Sequence, residues 1–254
     1  MRFRVLGCSG GIGGTRRTTS FLVDDDILID AGTGVGDLSL EALQRVDHIF
    51  LTHAHLDHIC SIPFLVDSVG RLRHTPLTVH GVEGVLETLR AHIFNWSVWP
   101  DFTRVPNAAA PFMRYHTLQV GESVLLGQRV ITPIPANHVV PAVGYHLDSG
   151  AASLVFSGDT TSNPALWSYL NGVKNLRYLL IETAFCEAEK SLAVLSKHLC
   201  PSMLAAELAQ LKQPAEIYIT HLKPGEDELT MREIAEQVQG YSPRELRNGD
   251  EFQL

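Results

Sequence analysis

Three histidines and an aspartate fall within six residues, His53-Ala54-His55-Leu56-Asp57-His58, directly after the apolar run His48-Ile49-Phe50-Leu51 and Thr52. A strand that ends in such a cluster reads as the edge of a metal site, because neutral imidazole and carboxylate are the usual ligands of zinc and other borderline divalent ions. His53 and His55, two residues apart, point the same way from an extended or tightly turned segment. Asp57 and His58 follow at the start of a helix and face a second ion. The plain alternative is a solvated histidine-rich loop, as in a tag. An apolar setting and the acid within the cluster both disfavour it.

The rest of the chain bounds what such a site serves. At 254 residues there is ample length for a full hydrophobic core, and we expect one domain over residues 1–254. Hydrophobic residues at 45% and charged residues at 19% describe a globular protein. A formal charge of −8 argues against a protein that grips long nucleic acids electrostatically, while leaving room for a small anionic substrate held by a metal. Met1 to Gly7 runs straight into strand-like sequence with no apolar signal segment, and no apolar run approaches the ~20 residues of a membrane span. Cys8, Cys60, Cys186 and Cys200 form no C-x-x-C pair and read as reduced thiols of a cytoplasmic protein.

Along the chain, a strand over Phe3 to Leu6 leads into the loop Gly7-Cys8-Ser9-Gly10-Gly11-Ile12-Gly13-Gly14. This loop lacks the Gly-Lys-Ser/Thr of a P-loop and no helix pattern follows, so phosphate cradling and tight packing near the metals both stand open. Ser20 to Val23 and Ile27 to Asp30 pair as a hairpin, and Asp30 at its end is placed to orient a ligand histidine. Helices are expected at 38–46, 59–69 (with Pro63 in the first turn) and 82–93, and a strand at 77–80. The segment Phe94-Asn95-Trp96-Ser97-Val98-Trp99-Pro100-Asp101-Phe102 is either an aromatic plug on the core or a pocket wall that stacks on a planar group. The second half opens with strands at 113–120, 123–126, 129–135, 143–147 and 153–157, followed by a helix at 164–170 and a strand at 178–181. Helices at 185–195 and 202–211, a strand at 216–220, a helix at 226–238 and one short terminal strand complete it.

Strand after strand ends in a metal-ligating or acid–base side chain: His53, His138, Asp159, Glu182 and His221. Five such endings in repeated strand–helix units imply an α/β (αββα) sandwich, two mixed sheets flanked by helices, with the polar groups along one edge.

With these residues in place, the sequence resembles the metallo-β-lactamase superfamily, whose motif is H-x-H-x-D-H followed by a distant His, a bridging Asp and a final His. Every position is filled: His53, His55, Asp57 and His58, then His138 after Asn137, Asp159 in Ser-Gly-Asp-Thr, and His221 after Thr220. The resemblance implies that His53, His55 and His138 hold one ion, that Asp57, His58 and His221 hold the other, and that Asp159 bridges them. The ligand set suits zinc best, and iron and manganese bind sites of this kind. Glyoxalase-II-like thioesterases share all seven ligands. Glu182-Thr183-Ala184-Phe185 and Lys197-His198-Leu199, however, are similar to motifs of the phosphodiesterase branch, in which the His contacts the scissile phosphate and the Glu steadies it. A His198 that merely packs before Pro201 is the bland alternative.

Within that branch the chain looks most like the class II cyclic nucleotide phosphodiesterases. The run His53 to Ile62 follows their signature, with Pro63-Phe64 departing from the two aliphatics usual there, and Thr220-His221-Leu222-Lys223-Pro224 is similar too. The expected function is hydrolysis of 3′,5′-cyclic nucleotides (cAMP or cGMP) to 5′-monophosphates by a binuclear metal site, with Asp57, Glu182 and His198 as catalytic residues. The resemblance makes Asn95, Trp96, Trp99 and Phe102 the wall for the base, and implies a homodimer. The rivals are a tRNA 3′-processing or other phosphodiesterase, a thioesterase, and a non-catalytic nucleotide-binding metal protein. No lysine-rich arm for gripping tRNA is present in the sequence, so a small cyclic nucleotide is the expected partner and neither large nucleic acid nor membrane is.

Overall fold

The computed structural model describes residues 1–254. Two seven-stranded sheets stack face to face, and each is antiparallel on one side and parallel on the other. The first contains β1 (Arg2–Gly7), β2 (Ser20–Val23), β3 (Ile27–Ile29), β4 (His48–Phe50), β5 (Leu77–Val82), β6 (Met113–Leu118) and β14 (Glu251–Gln253), in the order β14-β1-β2-β3-β4-β5-β6. The second contains β7 (Val124–Leu126), β8 (Arg129–Pro135), β9 (Val143–Asp148), β10 (Ser153–Phe156), β11 (Leu176–Glu182), β12 (Glu216–Thr220) and β13 (Arg244–Glu245). Its order is β13-β12-β11-β10-β9-β8-β7.

Parallel neighbours need long crossovers, which is where the helices lie. Between β3 and β6 come α1 (Leu40–Arg45), α2 (Leu56–Ile59), α3 (Ile62–Val69) and α4 (Glu83–His92). Between β10 and β13 come α5 (Pro164–Leu170), α6 (Lys190–Ser196), α7 (Pro201–Leu208) and α8 (Asp227–Gln237). Local chemistry starts some of them: the Ser39 hydroxyl accepts the Ala42 N–H at 3.2 Å, and Asn163 caps α5 ahead of Pro164. Three apolar clusters define four layers. Phe3, Phe21, Phe50, Tyr145 and Phe156 lie between the sheets; Val79, Leu86 and Phe102 lie under the first set of helices; Trp167, Leu179 and Leu204 lie under the second. This is the αββα arrangement of the metallo-β-lactamase fold.

The structure differs from the sequence expectations in three places. The helix expected over 59–69 is two, because Ser61 gives its N–H to Ala31 O (2.9 Å) and its hydroxyl to Gly32 O (2.7 Å) and so docks the loop after β3. The helix expected from Phe185 begins at Lys190, after a single 3-10 turn at Glu187–Glu189. The one terminal strand expected is two, β13 closing the second sheet and β14 pairing Phe252 with Phe3 in the first.

One buried histidine on β5 makes the fold acid-sensitive. His80 is 2% exposed, stacks face to face on Phe50 with ring centroids 4.1 Å apart, and lies 3.0 Å from His48 Nδ1 through its Nε2. Burial first, then the neighbouring His116, His48 and Arg114, push its pKa down to about 3. The unfolded chain binds that proton near 6.5, so stability is complete above about pH 6.5 and falls as the pH drops towards 3, by about 1.4 kcal/mol per pH unit for this one group. His80→Phe, which keeps the stack, is therefore expected to flatten the loss of stability between about pH 7 and pH 5 in urea titrations. Equal slopes for the two proteins would show that His80 is not responsible.

Candidate metal centre

The site is assembled from the ends of strands in both sheets. His53 and His55 follow β4, and Asp57 and His58 lie in α2. His138 follows β8, Asp159 follows β10, Glu182 ends β11, His198 follows α6, and His221 follows β12. All the donors inferred for metal come together: one ligand atom from each of His53, His55, His138 and Asp159 lies within 4.8 Å of the others, and the same holds for Asp57, His58 and His221. Asp159 is the centre. Its Oδ2 is 3.5 Å from His53 Nε2, 3.4 Å from His58 Nε2 and 3.5 Å from His221 Nε2. Asp57 Oδ2 approaches the same two imidazoles of the second set, at 3.7 Å from His58 and 3.8 Å from His221.

The donors that converge here lack other partners. His53 Nε2, His58 Nε2 and Asp159 Oδ1 are buried with no hydrogen-bond partner, although the residues themselves are at most 2% exposed. Buried polar atoms left unpaired are costly, and a divalent cation is the group that satisfies imidazole lone pairs and a carboxylate together. The electrostatics favour the ligand form of His53, His138, His221 and Asp159. Burial pushes His138 down to about 4 and His221 to about 3, and it holds His53 well below its ordinary value. Burial would raise Asp159, but His221, His58 and His53 hold it well below the usual carboxylate range.

A surrounding layer aims these rings. Asp30, fully buried at φ 55°, accepts the Thr52 N–H (2.8 Å) and hydroxyl (2.7 Å) and lies 2.7 Å from His58 Nδ1. Burial opposes a charge on His58, yet Asp159 and Asp30 raise its pKa well above normal. The sequence expectation for Asp30 as the orienting acid holds. The role of Thr52 was not evident beforehand: its hydroxyl also sits 3.0 Å from His53 Nδ1, and a threonine ahead of the motif carries no pattern that announces this. His138 Nδ1 is 3.2 Å from Lys197 O, which turns its Nε2 to His55 Nδ1 at 3.3 Å. Of the two readings of the glycine-rich loop, the structure supports packing. A Cβ on Gly10 would lie 2.4 Å from the His221 carbonyl oxygen and 3.0 Å from its ring.

Next to the donors stands a second pair. Glu182 Oε1 is 2.8 Å from His198 Nδ1, and the carboxylate also accepts the Thr160 and Leu199 N–H groups. Burial raises Glu182, and burial opposes a charge on His198, but Glu182 overcomes it and raises the pKa of the imidazole.

The aromatic segment requires a correction. Phe102 is 3% exposed and packed near Phe94 and Phe112 in the core under the first helices, so no base reaches it. Asn95 is half-buried and tied into its own turn: its amide donates to Ala91 O, and its Oδ1 accepts the Ser97 and Val98 N–H groups. Trp96 is 61% exposed, and Trp99 meets Phe64 of α3 edge to face at 5.3 Å.

This fold and this convergence of imidazoles and carboxylates define the class, an αββα protein whose strand ends gather side chains that could hold divalent metal. The model of the β-lactamase superfamily domain matches residues 25–222, and the chain belongs to that family. It is 28% identical over 211 residues to the 3′,5′-cyclic-nucleotide phosphodiesterase of Schizosaccharomyces pombe, covering 71% of this chain and 58% of that protein. It is 30% identical over 168 residues to a ribonuclease Z of Porphyromonas gingivalis, covering 58% of this chain and 52% of the relative. The chain thus spans little more than half the length of these relatives. Among solved structures, unliganded yeast PDE1 shares the fold with a TM-score of 0.78 at 20% identity, over 96% of each chain. No helix is long and apolar enough to cross a membrane.

Asp30→Asn keeps a side chain that tolerates the left-handed backbone but removes the anion behind His58. The variant should fold and bind zinc about 10- to 100-fold more weakly in a chelator competition. Unchanged affinity would mean that Asp30 serves packing alone.

Proposed function

We propose that this protein is a binuclear metal-dependent phosphodiesterase that opens 3′,5′-cyclic nucleotides to 5′-monophosphates. His53, His55 and His138 would hold one ion and Asp57, His58 and His221 the other, with Asp159 shared. Zinc suits this N/O set best, and iron or manganese are its rivals. When bound, such ions lower the pKa of water and offset charge on phosphoryl oxygens.

The observation that carries the reading beyond metal binding is the Glu182–His198 pair at 2.8 Å. In this reading Glu182 holds Nδ1 of a protonated His198, which leaves the Nε2 proton for a ligand. Charge that grows on a phosphoryl oxygen is offset by that imidazolium, and a preorganised buried donor of this kind is worth far more than one in water. As the water oxygen bonds to phosphorus and the P–O3′ bond breaks, the 3′-oxygen takes its proton from His198. Asp57, 30% exposed on its side chain where Asp159 is 2%, is the carboxylate open to receive the proton of the attacking water. Trp96 and Trp99 are the rings left to stack on the base.

The relative named ribonuclease Z favours a second reading, an RNA phosphodiesterase. Against it stands the formal charge of −8, which disfavours grip on a long polyanion. We further read residues 1–254 as one domain, the protein as a homodimer, and its four free cysteines as fitting the cytoplasm.

Zinc-loaded protein offered cAMP, cGMP, 2′,3′-cyclic nucleotides, precursor tRNA and an S-acyl thioester is expected to turn over the 3′,5′-cyclic nucleotides best. Thioester turnover with inert cyclic nucleotides would sink the reading, and cleavage of precursor tRNA alone would establish the second. His198→Ala is expected to lower kcat about 10²- to 10³-fold with zinc content unchanged. Loss of zinc in that variant would make His198 structural.

A further inference from the structure

Lys197 occupies a backbone conformation that only another benefit explains. It ends α6 at φ 55° and ψ 51°, the left-handed region that glycine adopts freely and a lysine resists. Its backbone N–H completes the helix end on Ala193 O and Val194 O, a bond that glycine would make equally well. What only the lysine supplies is its ammonium, which donates to Asn137 Oδ1 at 3.1 Å and to the His138 carbonyl at 3.2 Å. Its own carbonyl, in return, lies 3.2 Å from His138 Nδ1. One residue therefore grips His138 at ring and backbone together. Nδ1 gives its proton to that carbonyl, so the free lone pair is on Nε2, the atom 3.3 Å from His55 Nδ1 in the first donor set.

The grip extends further. Asn137 receives Lys197 on one side and is braced on the other, where its N–H donates to Thr160 Oγ1 (3.0 Å), its amide to Ser162 O (2.9 Å), and its carbonyl accepts the Thr161 N–H (2.9 Å). Thr160 follows Asp159 directly and donates its own N–H to Glu182. Lys197 is thus the tie between the segment carrying His198 and the two loops carrying His138 and Asp159.

We infer that Lys197 is a positioning residue that sets His138 in the first metal site and keeps it in register with His198. The inference rests on the reading of His138 as a metal donor. Three variants test it: Lys197→Gly, which relaxes the backbone and removes the tie; Lys197→Met, which keeps the stem without the charge; and Lys197→Arg, which keeps a donor. Zinc affinity and stoichiometry are followed by chelator competition, beside kcat and KM for cAMP. In the Gly and Met variants one of two zinc equivalents is expected to weaken about 10- to 100-fold with the other unchanged. kcat should fall with KM little altered, and Arg should restore part of both. A Lys197→Gly protein that binds both equivalents as tightly as the wild type overturns the inference and leaves the lysine as a helix end alone. His138→Ala separates the underlying reading: if it too retains both zinc equivalents, His138 is not a donor, and both statements fall for that reason.

Discussion

A buried carboxylate is intolerable unless something cationic shares its space, and Asp159 is the residue on which this molecule depends in that sense. It is 2% exposed, has one oxygen facing three imidazoles at 3.4–3.5 Å, and has the other with no partner at all. Its strand, β10, lies in the middle of the second sheet, with an antiparallel neighbour on one side and a parallel one on the other. Asp159 follows this strand, so the change of direction falls beside the candidate donors. The first sheet makes the same switch at β3, and Asp30 stands at its end. Two carboxylates at equivalent turning points, one facing the imidazoles directly and one behind His58, thus organise the whole edge.

Strain is concentrated around the same edge. Of five non-glycine residues with positive φ, three are Asp30, Lys197 and His221. Each is held by bonds that only its native surroundings offer: Thr52 and His58 for Asp30, Asn137 and His138 for Lys197, and the Cys8 carbonyl for the His221 N–H at 2.7 Å. Strained backbone persists where the fold over-determines it, and here it is over-determined where the side chains must converge.

Much of this was legible in the sequence because the relevant signals are local. The H-x-H-x-D-H run, the strand-ending histidines and aspartate, and the periodicity of the apolar segments announce both the αββα layers and the donor set. Less legible were features whose cause lies elsewhere in the chain. Ser61 breaks a helix only because Ala31 and Gly32 are there to receive it. The resemblance places Phe102 in the wall for the base, but its packing near Phe94 and Phe112 is a property of the folded core. Asn95 is engaged by its own turn, a local contact that the composition of the segment does not announce. Long-range packing thus removes Phe102 from the segment's exposed aromatic rings.

The two sheets share one inner core, and the donors are divided between them: His53, His55, Asp57 and His58 follow a strand of the first, whereas His138, Asp159 and His221 follow strands of the second. Neither half of the chain holds a complete set. Bringing His53 and His221 together closes a long loop, and that entropic cost is met only once both sheets have formed and stacked. A complete donor set therefore requires both sheets to be formed and stacked. Because the native state alone presents the full set, any ion bound there would draw the folding equilibrium towards completion.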